Sequence, residues 1–209
     1  MKNLYVVAHT QSEHHVRGLV GGWYDTSLTD LGRDQAARVA ARLADLIAGA
    51  MPVELFASDL RRAAETAAVI GERLGVAVNL DADLRERSYG SAGGQPSAWL
   101  EQRFVPPPRT NGRLDHRDGI ADAESKREFI TRVYRATQRI IDRDCATQVV
   151  ITHGFAMTFV VSAWIGLALE DAAYVSFKST PGGITHLFED DELHNRSVMR
   201  LNDTTHMGR

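Results

Sequence analysis

The sequence is poor in cysteine, in lysine and in long apolar runs. Its 209 residues include one cysteine, Cys145. No internal disulfide can form, and a reducing compartment, the cytoplasm, is expected. Lysine occurs only as Lys2, Lys126 and Lys178 among 24 basic residues. There is no basic excess either: 24 basic against 27 acidic residues give a formal charge of −3. That balance argues against a dedicated nucleic-acid binder. The longest apolar stretch, Phe155 to Leu169, is broken by Thr158, Ser162 and Gly166. It is shorter than the ~20 residues that cross a bilayer. The N-terminus lacks the basic, apolar and small-residue layout of a secretory signal. Neither nucleic acid nor membrane is therefore expected as a partner. Proline is scarce outside one region, since four of the six prolines fall between residues 88 and 123.

What is present reads as one globular domain over 1–209. Hydrophobic residues make up 44% and charged residues 24% of the chain, enough for a core without metal or disulfide staples. Leu4 to Ala8 is a short β-branched and aromatic run, read as a buried strand. Apolar residues at Leu31, Ala36, Val39, Ala40, Leu43 and Ile47 predict a helix over 30–48, with Thr29 as its cap. Val53 to Ala57 reads as a second strand. A helix follows with the stripe Ala63, Ala67, Ile70 and Leu74, capped by Ser58 or Asp59 and stopped at Gly75. Val76 to Leu80 is a weaker third strand. Residues 88–123, with Arg103, Arg109, Arg113 and Arg117, read as an excursion from the core. Helical spacing resumes from Glu124 to Ile141. Gln148 to Thr152 is a buried strand, and Gly154 to Leu167 an apolar helix. Ile184 to Glu189 and Val198 to Leu201 are expected as edge strands. No internal repeat is visible.

Strand and helix alternate, which predicts an α/β fold with a mostly parallel sheet. Ligands bind such sheets at the carboxyl ends of the strands. There the chain has Ala8-His9-Thr10, then Ser58 to Arg62, then Thr152-His153-Gly154. A histidine at a strand end can be a nucleophile, a general base, a metal ligand or a structural residue. The pair His9 and His153, with Arg62 and Glu86, suits phosphoryl transfer: a nucleophile, cationic donors for the equatorial oxygens, and an acid for the leaving oxygen.

The motifs around these residues resemble the histidine phosphatase superfamily, in its phosphoglycerate-mutase-like branch. The resemblance rests on Val7-Ala8-His9-Thr10, on Gly22-Trp23-Tyr24-Asp25, and on Leu28-Thr29-Asp30-Leu31-Gly32 through Gln35-Ala36. Ser58 to Ala67, Leu84 to Gly90, Thr152-His153-Gly154 and Leu201 to His206 extend it over nearly the whole chain. It implies a three-layer α/β/α sandwich. It implies His9 as the phosphoryl acceptor, Glu86 as proton donor, and Arg62 with His153 around the phosphoryl group. The implied substrate is a small phosphorylated metabolite, and no cofactor is implied. A homodimer is compatible with the sequence.

The chain departs from the family's Arg-His-Gly opening. The first arginine is replaced by Ala8 and the glycine by Thr10. His15, preceded by His14, stands where the family carries a phosphate-contacting asparagine. Losing a charge-assisted phosphate contact costs on the order of 10²- to 10³-fold in rate. Three readings follow: a working phosphatase in which His15, Thr10 or an excursion arginine fills the gap, a relative with altered chemistry, or a non-catalytic anion-binding protein. Adjacent histidines on an extended chain point apart, so only one of His14 and His15 is expected at the site. No carboxylate has metal-motif spacing, and no metal is expected. His116, His186 and His194 are expected on the surface, while His206 is read as packing back toward the sheet. The modest excursion is expected to overhang the site, and suits hydrolysis better than a mutase that must shield phosphohistidine from water.

Overall fold

A computed structural model describes residues 1–50 and 52–208; Met51 and Arg209 lie outside them. The strands are β1 (Lys2–Ala8), β2 (Val53–Ala57), β3 (Val78–Leu80), β4 (Thr147–Thr152), β5 (Ile184–Glu189) and β6 (Arg196–Asp203). The helices are α1 (Glu13–Val16), α2 (Asp30–Ile47), α3 (Arg61–Leu74), α4 (Ser97–Glu101), α5 (Lys126–Ile141), α6 (Gly154–Trp164) and α7 (Leu169–Ala172). The sheet order is β3-β2-β4-β1-β5-β6. β1 to β4 pair in parallel, and β5 and β6 add on antiparallel.

Side chains on the central strands alternate between two cores, as the two-residue period of a strand requires. Leu4, Val6 and Val150 pack with Phe129, Val133, Phe159 and Trp164 from α5 and α6. Tyr5, Val7, Val149 and Ile151 pack with Val39, Leu43, Ala67 and Ile70 from α2 and α3. The result is the expected α/β/α sandwich. Each fully buried Leu, Ile, Val or Phe contributes about 1.5–3 kcal/mol, so both cores hold the strand ends in place.

Several local expectations are corrected. β5 is not an edge strand, because it lies between β1 and β6; only β6 closes that side. Neither Ser58 nor Asp59 caps α3, whose N-cap is Leu60. Asp59 is instead taken by Arg85 at 2.7 Å. α6 stops at Trp164, before Leu167, because Gly166 takes a left-handed φ of +74° that ends a helix. His186 is only partly a surface residue. Its ring stacks on Tyr5 with centroids 4.5 Å apart, and its Nε2 meets Asn3 Oδ1 at 2.9 Å.

The 88–123 excursion has a small core of its own. Ala92, Ile120 and Ala123 pack with Val20, flanked by Tyr89 and Trp99. It is pinned to the segment after α1, where Val20 N–H donates to Gln95 O at 2.8 Å. No helix among the described residues is long and apolar enough to cross a membrane.

Candidate active site

The carboxyl ends of β1, β2 and β4 bring His9, Ser58 and His153 to one edge of the sheet. His9 follows β1 directly, and its amide donates to Thr152 O at 2.8 Å. Its Nδ1 lies 2.8 Å from Thr10 O. A carbonyl only accepts, so Nδ1 carries the proton and Nε2 keeps its lone pair. That lone pair accepts from Arg62 Nε at 3.2 Å. Burial, Arg62 and His15 hold the imidazole pKa well below its ordinary value, despite the Thr10 bond. The ring is therefore neutral at pH 7.

Arg62 lies in the first turn of α3 and is 1% exposed. Its Nη2 donates to Gly22 O at 2.7 Å and its Nη1 to Tyr24 O at 3.1 Å. With Nε on His9, three of the five guanidinium protons are engaged. One proton on each Nη remains for a ligand. Gly22 is required where it stands. Its φ is +58°, and a Cβ would come within 2.7 Å of Arg87 O.

His153 is the N-cap residue of α6 and is fully buried. Its Nε2 is bonded to Ser58 Oγ at 2.8 Å, and its Nδ1 is buried without a partner. Burial, then Arg62 and His9, push its pKa well down. The His9 and His153 rings meet edge to face at 5.0 Å.

Glu86 sits against the start of α6. Its Oε2 accepts from Phe155 N–H at 2.9 Å, and its Oε1 from Ala156 N–H at 3.1 Å and Arg87 N–H at 3.0 Å. These donors, and the cations Arg62 and Arg132, favour the carboxylate. Burial outweighs them and raises the pKa above the ordinary value. The loop is fixed from behind, since Glu86 O accepts from Trp23 Nε1 at 2.7 Å and from Arg132 Nη2 at 2.8 Å.

The remaining expected residues divide. Thr10 does not offer its hydroxyl to the site. It is fully buried, and Oγ1 donates to Gly32 O at 2.7 Å. Its role is to lock the His9 loop onto α2. Gly32 permits that approach, because a Cβ there would lie 1.9 Å from Gln11 O. His15 stacks on His9 with centroids 5.4 Å apart and planes 8° from parallel. Ser12 N–H donates to His15 Nδ1 at 3.3 Å, which leaves Nε2 as the N–H of the neutral ring. His14 also lies beside the site, 6.1 Å from His9 and 4.1 Å from His15. The expectation that only one of the pair joins fails because α1 is a helical turn, not an extended chain.

Three of the excursion arginines are engaged away from Ala8. Arg103 lies over Trp99 at 4.1 Å, Arg117 pairs with Glu128 at 2.9 Å, and Arg113 donates to Ala173 O at 2.8 Å. Sequence reasoning missed Arg132 and the His153 contact of Ser58. Arg132 carries a signal in retrospect: it is a charge on the apolar face of a helix, between Phe129 and Ala136. Among the described residues, no three or more His, Cys, Asp or Glu are grouped to hold a metal ion.

The family model described as the histidine phosphatase superfamily (branch 1) matches residues 4–204. A glucosyl-3-phosphoglycerate phosphatase of Mycolicibacterium vanbaalenii is 31% identical over 179 residues, covering 82% of this chain and 77% of the relative. Phosphoglycerate mutase 1 of Saccharomyces cerevisiae is 29% identical, covering 92% of this chain and 88% of its own. In three dimensions, a mycobacterial glucosyl-3-phosphoglycerate phosphatase solved with VO3 aligns with a TM-score of 0.79 and 24% identity. That alignment covers 98% of this chain and 100% of the other.

Proposed function

The chain belongs to branch 1 of the histidine phosphatase superfamily, and from that premise we propose that it is a phosphomonoesterase using His9 as its nucleophile on a small phosphorylated metabolite. The observation that carries the reading is the state of His9: a buried neutral ring, its Nδ1 proton tied to Thr10 O and its Nε2 lone pair facing Arg62. The glucosyl-3-phosphoglycerate phosphatase relative supports a phosphatase over a binding protein on the same scaffold.

In the reaction, His9 Nε2 gives up the Arg62 Nε–H bond, its freed lone pair attacks phosphorus, and the P–O bond to the leaving group breaks. Arg62, through its two free Nη protons, and His153, through Nδ1, hold the phosphoryl oxygens as charge builds. His15, whose ring stacks on His9, offers Nε2–H as an added donor. Glu86 gives its proton to the leaving oxygen. The resulting carboxylate then takes a proton from water, which attacks phosphorus and breaks the P–N bond. Inorganic phosphate leaves, and His9 and Glu86 return to their starting states. No step needs a metal or cofactor, and the buried Cys145 thiol suits a reducing cytoplasm.

Release of phosphate from phenyl phosphate and a metabolite panel tests the reading. His9→Ala is expected to lower kcat by at least about 10³-fold, and EDTA to leave the wild type unchanged. A wild type that binds phosphate yet hydrolyses no ester is instead a non-catalytic anion binder. The pH profile follows from the same groups. His9 is held neutral to well below 6.5, so the acid limb of kcat/KM set by the enzyme lies below that value. Glu86 must be protonated, and its raised pKa moves the alkaline limb above the ordinary 4.5.

A further inference from the structure

Beside Glu86 the molecule has a cavity of about 250 Å³, lined by Tyr89, Phe104 and Phe155, by three cations, Arg87, Arg113 and Lys126, and by one carboxylate, Asp118, which Arg87 neutralises. It adjoins the reaction site through Phe155, whose N–H holds Glu86 Oε2, and through Arg87, the next residue in the chain. The cations are not equivalent. Arg87 is committed to the Asp118 carboxylate, to Glu124 O at 2.8 Å and to His116 O at 3.3 Å. Arg113 donates to Ala173 O at 2.8 Å and Pro108 O at 3.0 Å. Lys126 gives one proton to the same Ala173 carbonyl at 2.8 Å. An ammonium has three donors, and Lys126 forms no ion pair with a carboxylate among the described residues. It also lies 5.6 Å from the centre of the Phe155 ring.

We propose that Lys126 determines specificity by taking a carboxylate at the far end of the substrate, whose flat apolar body lies against Phe155, Tyr89 and Phe104. The inference rests on the phosphatase reading for the phosphate end only. A carboxylate fits better than a second phosphate, because a site walled by aromatic rings has one charge to desolvate rather than nearly two. Lysine also differs from the arginines that dominate this chain. Burial lowers its pKa to about 8, with Arg113 and Arg87 acting in the same direction and Asp118 opposing them. His116 also faces the cavity. The ammonium that holds the carboxylate is thus lost as pH rises through about 8.

The test compares 4-carboxyphenyl phosphate with phenyl phosphate in the wild type, Lys126→Met and Lys126→Arg. In the wild type, the carboxylated ester is expected to have a KM at least about tenfold lower. Lys126→Met removes that preference through KM, with kcat moving much less, and Lys126→Arg restores part of it. The wild-type preference fades as pH rises through 8 and is pH-independent in Lys126→Met. An unchanged preference in Lys126→Met overturns the proposal. Calorimetric binding of 4-carboxybenzylphosphonate and benzylphosphonate separates this inference from the enzymatic one. If neither ester is hydrolysed but only the wild type distinguishes the phosphonates, the subsite stands and the phosphatase reading falls. Equal binding of both phosphonates to the wild type removes the subsite.

Discussion

Ala8 stands where the family resemblance leads one to expect an arginine, and its surroundings define what an arginine there would do. Ala8 ends β1 on the side of Leu4 and Val6, and is 3% exposed. A longer side chain is expected to cost about 1–3 kcal/mol of stability through overpacking. It would also add a charged fork to the phosphate side of His9. Ala8→Arg should therefore lower the inhibition constant for inorganic phosphate by about tenfold while lowering the urea midpoint. His15 supplies the control. If its Nε2–H replaces the missing arginine, His15→Ala weakens phosphate inhibition in the wild type and much less in the Ala8→Arg background. Additive effects in that cycle would show that the two positions serve different groups. Thr10 has no such role, because its hydroxyl is committed to Gly32 O.

At the scale of elements, α5 is what turns a loop glutamate into a positioned acid. The helix begins with a reciprocal cap: Ser125 Oγ accepts from Glu128 N–H at 3.2 Å, and Glu128 Oε2 accepts from Ser125 N–H at 2.7 Å. Two turns later Arg132, held by Glu124 at 2.6 Å, donates to the carbonyls of Asp83, Arg85 and Glu86. Arg132→Met would leave Glu124 without its cation and three carbonyls short of a donor. A loss of about 3–5 kcal/mol in urea unfolding is expected, with kcat falling more than KM rises. Unchanged kcat would show that Trp23 alone holds the loop. Most of this architecture was legible in the sequence. The stripes Val39-Leu43-Ile47 and Phe129-Val133-Ile140 record which helix faces meet the sheet, and periodicity reports burial directly. Arg62 and His153 were legible because strand ends place them, and Glu86 because its motif resembles the family's. The contacts of Arg132 and the turning of α1 were not, since they depend on pairings between segments far apart in sequence. The edge placement of β5 failed for the same reason: a strand's neighbours are not written in its own residues.

For the whole molecule, a formal charge of −3 conceals a sheet edge where arginines and neutral histidines are packed together. The cost of that packing appears as a pH dependence of stability. His9, His14 and His153 are all buried, and all have lowered pKa values, His14 to about 3. For each, burial is the largest cause, and Arg62 adds to it. The unfolded chain takes up protons on these rings below about 6.5, and the folded protein does not. Their stabilising contribution is therefore complete above 6.5 and is lost as pH falls toward the folded values, by at most about 1.4 kcal/mol per pH unit for each ring. Glu86 has the opposite sign. Its raised pKa means that acidification toward its folded value stabilises the fold and opposes the loss from the rings. Carboxylates with lowered pKa values, such as Asp59 and Asp83, act only below about 3.8, outside the window. Urea unfolding free energy should therefore fall between pH 6.5 and 5.5, by about 1 kcal/mol for each ring that stays neutral in the folded protein. His14→Gln removes one ring without touching the nucleophile. Its slope over the same window should be shallower by about 1 kcal/mol per pH unit. A wild-type slope near zero, or one that His14→Gln leaves unchanged, would mean that these rings accept protons in the folded state. The acid limb of the reaction would then move up with them.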